Sequence, residues 1–236
     1  MSSTAYAQSL THLTAKSWLV ADKNGKMLDG SNTTDVRSIA SITKLMTVMV
    51  VLDSNQDLNE IISTKLHNKK LTRRELISLA IVKSDNNAAK ILCEQYPTGL
   101  SGCVDAMNSK AASLGMTNTK YVEPTGLYNE NVSTAEDLVK LVIAASKYPI
   151  INEDSNKERI EFPATKKKKP QAFNNTNRLV GHGYDFLVSK TGWITKSGGC
   201  IVMMLDTATD RRIVVLLGSK NTKTRIPEAK MIALAY

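Results

Sequence analysis

Ser41-Ile42-Thr43-Lys44 sets a hydroxyl and a primary amine three residues apart. On a helix that begins near Ser41 these positions share one face, so the amine can reach the hydroxyl. A serine at a helix N-terminus also lies beside backbone N–H groups and the positive end of the dipole, which favours negative charge developing on a substrate oxygen. Apolar neighbours such as Leu45 and Met46 should desolvate Lys44, lower its pKa and let a neutral amine take the serine proton. Taken alone, the same spacing describes a capped helix with an exposed lysine. Ser84-Asp85-Asn86 falls at a break between two predicted helices, where a short polar loop could present Ser84 and Asn86 to a cleft. By itself it reads as a turn and helix cap. Lys190-Thr191-Gly192 lies in a strand-like run that places Lys190 and Gly192 on one face and Thr191 on the other. A glycine there lets a ligand approach the backbone, although an edge strand with a bulge would look the same. Each of the three groups sits where such a role would need it: a helix start, an inter-helix loop and a strand.

The elements that must position these groups follow from periodicity. Residues 18–21 and 26–28 flank Asn24-Gly25, a pair that suits the positive φ of a tight hairpin turn. Residues 41–52 are apolar nearly all round, as in a buried helix. Thr72, with Glu75 three residues on, can form a capping box for a helix running to about Lys83. Further helices are predicted over 87–94, over 104–114 ended by Gly115, and over 134–147 capped by Ser133 or Thr134. After a polar, proline-bearing stretch over 152–177, strands are predicted over 184–193, 200–206 and 211–217, then a short helix over 227–236. Strands at both ends with helices between them imply an α/β (α+β) architecture, an antiparallel sheet completed by the N-terminal hairpin and covered by helices. A single domain over 1–236 is expected, with a helical subdomain within about 60–150. The basic stretch 152–170 reads as an exposed excursion.

A chain of 236 residues with 42% hydrophobic content suits one globular domain. Its longest nearly apolar run, 45–52, is far short of the roughly 20 residues of a membrane-spanning helix, so no transmembrane segment is expected. Residues 1–14 lack the basic start and apolar stretch of a secretory signal, which leaves a removed signal or another export route, including a phage-borne enzyme. The net charge of +9 predicts attraction to an anionic partner. The block Lys166 to Lys169 contains no aromatic residue and reads as a solvated loop, with no nucleic-acid motif around it. Cys93, Cys103 and Cys200 lack zinc-site spacing, and no metal or cofactor is expected. Cys93 and Cys103 could pair in an oxidising compartment, but buried thiols are the plainer reading. His12, His67 and His182 are scattered, so the base is the lysine rather than a histidine.

The S-x-x-K, S-D-N, K-T-G set is shared by class A β-lactamases and penicillin-binding proteins. The chain resembles the low-molecular-mass penicillin-binding proteins, the D-alanyl-D-alanine carboxypeptidase and endopeptidase family, over nearly its whole length. The resemblance is carried by residues 37–47 around Ser41, by Met107-Asn108-Ser109-Lys110-Ala111 and by residues 114–119. Pro124-Thr125-Gly126-Leu127 and Asn175-Thr176-Asn177-Arg178-Leu179 add to it. Residues 132–138 and Ser189-Lys190-Thr191-Gly192 followed by Gly198-Gly199-Cys200 are most similar to the penicillin-binding protein 7 type of endopeptidase. That resemblance implies a serine β-lactamase/penicillin-binding-protein transpeptidase-like fold, with a five-stranded antiparallel sheet flanked by helices and a cleft beside a helical subdomain. It implies Ser41 as the acylated nucleophile and Lys44 as its activator, with Ser84 and Asn86 relaying protons and orienting the substrate. Lys190, Thr191 and Gly192 would hold the substrate, and the backbone N–H groups of Ser41 and Trp193 would form the oxyanion hole. The implied partners are peptidoglycan peptides and β-lactam antibiotics as covalent inhibitors, not nucleic acid, in a periplasmic or otherwise wall-facing location. Asp85 departs from the glycine that many members carry between the Ser and Asn of the second motif. The chain also ends before the β-rich domain and amphipathic anchor of several carboxypeptidases.

The implied reaction is hydrolysis of D-alanyl peptide bonds, with the D-alanyl to meso-diaminopimelyl cross-link favoured over the terminal D-alanyl-D-alanine bond. Alternatives are a β-lactamase or a non-catalytic wall-binding or penicillin-sensing module. A class A β-lactamase needs an E-x-x-L-N segment, and Glu123-Pro124-Thr125-Gly126-Leu127-Tyr128-Asn129 lacks that spacing. Binding alone would not require a nucleophile–base pair.

Overall fold

The computed structural model describes residues 12–63, 70–162, 170–208 and 210–236. The predicted block Lys166 to Lys169 and His67 lie outside them. The N-terminal hairpin forms as expected, with β1 (Ser17–Asp22) and β2 (Met27–Ser31) joined through Gly25 at φ +88°. A short strand, β3 (Arg37–Ser38), leads into a 3-10 turn (Ala40–Ile42) and then helix α1 (Thr43–Asp53). From Thr43 to Val51 every residue of α1 is buried, because this helix runs through the middle of the molecule with neighbours on all sides.

The short pair β4 (Ile61–Ile62) and β5 (Leu71–Thr72) precedes α2 (Arg73–Ser78). Thr72 and Glu75 close the predicted capping box. A π turn (Leu79–Lys83) extends α2, and α3 (Asn86–Glu94) and α4 (Gly99–Ser113) come next. Strand β6 (Val132–Ser133) pairs with β3, and α5 (Ala135–Ala145) is capped by Thr134 accepting from the Asp137 N–H. Helix α4 starts five residues earlier than its apolar pattern suggests, from Gly99 rather than Val104.

Residues 149–162 and 170–174 correct the reading of an exposed excursion, as far as they are described. Helix α6 (Pro149–Asn156) is followed by a hairpin of β7 (Arg159–Phe162) and β8 (Gln171–Asn174). Of the three buried residues of α6, Ile151, Asp154 and Ser155, only the first is apolar. Asp154 is fully buried and bound by Arg74 through two N–H groups at 2.8 and 3.0 Å, and by Ser78 and Lys157. A paired carboxylate of this kind leaves no apolar periodicity to read.

Strands β9 (Phe186–Ile194), β10 (Gly198–Asp206) and β11 (Arg211–Ser219) and the closing helix α7 (Arg225–Ala235) complete the fold. The sheet order is β2-β1-β11-β10-β9, antiparallel throughout. One face, through Val20, Met203, Val214 and Leu216, packs on Ala229 and Ile232 of α7. The other, through Leu19, Val202, Ile213 and Val215, packs on the α1 to α5 layer. The result is a five-stranded antiparallel sheet with helices on both faces.

The edge strand β9 is covered along its first half only. Asn156 of α6 bonds both backbone groups of Phe186, Asn152 donates to the Leu187 carbonyl at 3.0 Å, and Ser155 Oγ accepts the Ser189 N–H at 3.0 Å. Those α6 contacts stop at Ser189, so residues 190–194 keep an edge on which an extended chain could lie.

Cys93 and Cys103 form a disulfide with a Cα–Cα distance of 5.4 Å, which corrects the reading of buried thiols; Cys200 is a free, buried thiol. The turn between α3 and α4 brings the two helices side by side, so a sequence separation of 10 becomes a bonded pair. Closing a loop of that length restricts the unfolded chain by about 2–3 kcal/mol. Wild-type protein treated with a reductant should therefore unfold in urea with about 2–3 kcal/mol less free energy than the oxidised protein. Thiol titration in denaturant should find Cys200 alone before reduction and all three cysteines after it; three thiols before reduction would show that the bond is absent.

Candidate active site

Ser41 is the middle residue of the 3-10 turn at the head of α1. The turn is strained, because Ala40 holds φ +47° although it is not a glycine. Such a residue costs on the order of 1–3 kcal/mol and persists where surrounding contacts fix it. Thr43 Oγ1 donates to the Ala40 carbonyl at 2.8 Å, Asn131 Nδ2 donates to Thr43 Oγ1 at 3.1 Å, and the Ile39 N–H donates to the Asn131 carbonyl at 3.1 Å. Two glycines close on the same turn. A Cβ at Gly126 would lie 1.9 Å from the Ala40 carbonyl oxygen, and one at Gly192 would lie 2.8 Å from the Ser41 nitrogen. The serine amide is therefore gripped between the 123–131 loop and β9.

Lys44, on the first turn of α1, has no exposed surface. Its Nζ lies 2.7 Å from Ser41 Oγ, 2.8 Å from Asn86 Oδ1 and 2.6 Å from the Thr125 carbonyl oxygen. A neutral amine has two N–H groups and one lone pair. With the two donated to Asn86 and Thr125, the lone pair is left facing the Ser41 hydroxyl. Burial pushes the Lys44 pKa down to about 7, against the opposing pull of the Glu123 and Asp85 carboxylates. The arrangement can thus accept a proton from Ser41 near neutral pH.

Asn86 reaches Lys44 because the π turn after α2 ends on Ser84 in the left-handed region, φ +60° and ψ 36°. A π turn inserts an extra residue into the helix and re-aims the segment beyond it. Asp85 then caps α3, its Oδ1 accepting the Ala88 N–H at 3.0 Å, while Oδ2 meets Lys83 at 3.0 Å. The departure from glycine at this position thus has a local role. Ser84 is half-buried beside this junction and makes no hydrogen bond to Ser41 or Lys44 among the described residues.

Lys190 is 1% exposed, and its Nζ donates to the Thr191 carbonyl at 3.0 Å. Burial first, and then the charges of Lys44 and Arg225, hold its pKa well below the ordinary lysine value. Thr191 Oγ1 donates to Thr176 Oγ1 at 2.7 Å. Gly192 faces Ser41, and the Trp193 side chain is half-exposed at the rim. The structure therefore brings Ser41, Lys44 and Asn86 into direct contact, with Gly192 against the serine amide and Lys190 within electrostatic reach.

Three contributors have no chemical motif in the sequence to mark them. The Thr125 carbonyl is a backbone group that any residue would supply. Glu123 anchors its loop by accepting from Thr125 N and Oγ1 at 2.7 and 2.6 Å, from Gly126 N at 2.5 Å and from Asn131 Nδ2 at 3.0 Å. Arg225, at the start of α7, donates to the Gly192 carbonyl at 2.6 Å. For Thr125 and Thr176 the sequence offers one signal, since the segments 124–127 and 175–179 carry part of the family resemblance. Among the described residues no cluster of His, Cys, Asp and Glu could hold a metal ion, and no helix is long and apolar enough to cross a membrane.

A profile of the D-alanyl-D-alanine carboxypeptidase family matches residues 3–221. The chain is 40% identical to a D-alanyl-D-alanine endopeptidase of Pseudomonas aeruginosa, with 81% of this chain and 67% of that protein aligned. It is 38% identical to a D-alanyl-D-alanine endopeptidase of Escherichia coli, over 84% of this chain and 69% of that protein. Penicillin-binding protein D2 of Listeria monocytogenes, solved in its ampicillin-bound form, superposes with a TM-score of 0.82 at 26% identity, covering 95% of this chain and 97% of the other. The Streptomyces K15 DD-transpeptidase shares the fold, with a TM-score of 0.85 at 23% identity over 94% and 97% of the two chains.

Because only the unprotonated amine carries a lone pair, acylation of Ser41 should rise with pH through about 7 and level off above it. A stopped-flow pH profile that is flat between pH 5.5 and 8.5 would remove Lys44 from the role of base. Lys44→Ala should slow acylation by about 10²–10⁴-fold or more with the circular dichroism spectrum unchanged.

Proposed function

The chain belongs to the D-alanyl-D-alanine carboxypeptidase family, and on that premise we propose that it is a serine DD-peptidase that cuts D-alanyl bonds of peptidoglycan by way of a Ser41 acyl-enzyme. The observation that carries the reading is the buried Lys44 amine 2.7 Å from the Ser41 hydroxyl, with a pKa near 7. In the proposed reaction Lys44 takes the Ser41 proton as Oγ attacks the D-alanyl carbonyl. The N–H groups of Ser41 and Trp193 receive the oxyanion, and the proton passes through Lys44, with Ser84 and Asn86 alongside, to the leaving amine. Water then releases the acyl group. Lys190, Thr191 and Gly192 hold the substrate, and an extended peptide can pair with the open edge of β9 beyond Ser189.

The bond we favour is the D-alanyl to meso-diaminopimelyl cross-link, in keeping with the two endopeptidases to which the chain is 38–40% identical. The net charge of +9 suits a polymer rich in carboxylates. The Cys93–Cys103 disulfide suits an oxidising, periplasmic or wall-facing compartment.

β-Lactams should acylate the same serine, as the ampicillin-bound form of the Listeria protein illustrates for that relative. The adduct should persist, because Glu123, a carboxylate that acts on Lys44, has both oxygens committed to its own loop. A lone pair already holding N–H donors is a poor base for a deacylating water. Intact-mass measurement after incubation with benzylpenicillin should show one added penicillin on the wild type and none on Ser41→Ala; rapid turnover of penicillin would favour the β-lactamase reading. Mass spectrometry of purified muropeptides should show cross-linked dimers falling to monomers. Dimers left intact while pentapeptides lose their terminal alanine would reassign the enzyme as a carboxypeptidase.

A further inference from the structure

A cleft of about 770 Å³ lies between the 174–179 loop and the start of α7, lined among others by Thr176, Arg178, Lys223, Arg225 and Ile226. It does not include Ser41 or Lys44, and the chemistry at Ser41 makes no use of it. Both of its walls are tied to the substrate stretch of β9. Thr176 on one wall accepts from Thr191 Oγ1 at 2.7 Å, and Arg225 on the other donates to the Gly192 carbonyl at 2.6 Å. The cleft therefore adjoins the stretch of β9 that holds Thr191 and Gly192. Its volume falls in the range of about 300–1,000 Å³ that holds a ligand of many atoms, which exceeds what one terminal alanine needs.

The cleft is also positively charged with little to neutralise it. Arg178 and Lys223 are exposed, and neither side chain has an ion-pair partner among the described residues. Arg178 also borders a neighbouring hollow shared with Glu158, yet no ion pair joins the two. Glu228, in the first turn of α7, is buried and takes two hydrogen bonds from Thr14. Arg225 is 8% exposed, and its Nε has no hydrogen-bond partner among the described residues. Two exposed cations with no ion-pair partner among the described residues, beside a third that is nearly buried, make this cleft a site for carboxylate.

We infer that this cleft seats the second, carboxylate-bearing peptide of a cross-linked substrate, with Arg178 and Lys223 pairing its carboxylates. The inference rests on the endopeptidase reading and adds to it the residues that distinguish a branched, anionic leaving peptide from a lone alanine.

The test compares wild type with the double variant Arg178→Gln/Lys223→Gln on cross-linked muropeptide dimers, with their carboxylates free or converted to amides. Exposed charge pairs contribute a factor of about 1.5 to 5 each. The double variant should thus lose about two- to twenty-five-fold in kcat/KM on free-carboxylate dimers, mostly through KM. Amidated dimers should be cut at equal rates by both proteins, and Arg178→Lys, which keeps the charge, should retain most of the wild-type rate. The wild-type rate on free dimers should also fall more steeply with added salt than that of the double variant. Equal kcat/KM on free dimers, or an equal loss on free and amidated dimers, would overturn the inference while leaving the endopeptidase reading in place. A wild type that leaves every dimer intact defeats that reading, and this inference with it.

Discussion

The amine of Lys44 is kept out of water, and a buried amine is tolerated when it is neutral and its N–H groups have acceptors. Much of the surrounding architecture supplies those acceptors. Asn86 comes from the head of α3 and the Thr125 carbonyl from a loop two helices away in the chain, so three distant segments converge on one nitrogen. Desolvation brings the pKa down to about 7, while the nearby Glu123 and Asp85 carboxylates keep it from falling further. The balance places the amine where it can take and return a proton at neutral pH.

Each acceptor needs its own support. The 123–131 loop is held by the Glu123 carboxylate and by Asn131, which donates to Thr43 Oγ1 and to the Glu123 carbonyl and accepts from the Val122 N–H. Through Thr43 the same chain of bonds reaches the carbonyl of the strained Ala40. The strained turn that carries Ser41 and the loop that supplies an acceptor to Lys44 are therefore stabilised together. This is why Gly126 tolerates no side chain: the space a Cβ would need is occupied by the Ala40 carbonyl.

Much of this is legible in the sequence where the chemistry resides in side chains at short range. The Ser41 to Lys44 spacing, the Thr72 and Glu75 capping box, the Asn24-Gly25 turn and the long apolar strands are local patterns with local causes. The π turn is not local in that sense, since Leu79 to Lys83 read as ordinary helix and the inserted residue depends on packing. Helix α6 is hidden because Asp154 and Ser155 are buried by pairing rather than by hydrophobicity. The disulfide depends on how α3 and α4 turn back on each other, which spacing alone leaves open. The Thr125 carbonyl and the Arg225 contact to Gly192 join residues 81 and 33 positions apart, with no periodicity to announce them.

Lys190 completes the electrostatics of the site. It is buried on β9, where burial first and then the charges of Lys44 and Arg225 hold its pKa well below the ordinary lysine value. Acylation changes that balance in a definite direction. In the proposed reaction Lys44 would gain a proton as negative charge develops on the carbonyl oxygen beside the Ser41 amide, so the new cation and the oxyanion would arise together and stabilise one another. In a water-excluded site that mutual stabilisation is strong, and it is absent before the reaction begins. On the proposed mechanism a resting amine that is neutral is what would make the charged transition state the better-bound species.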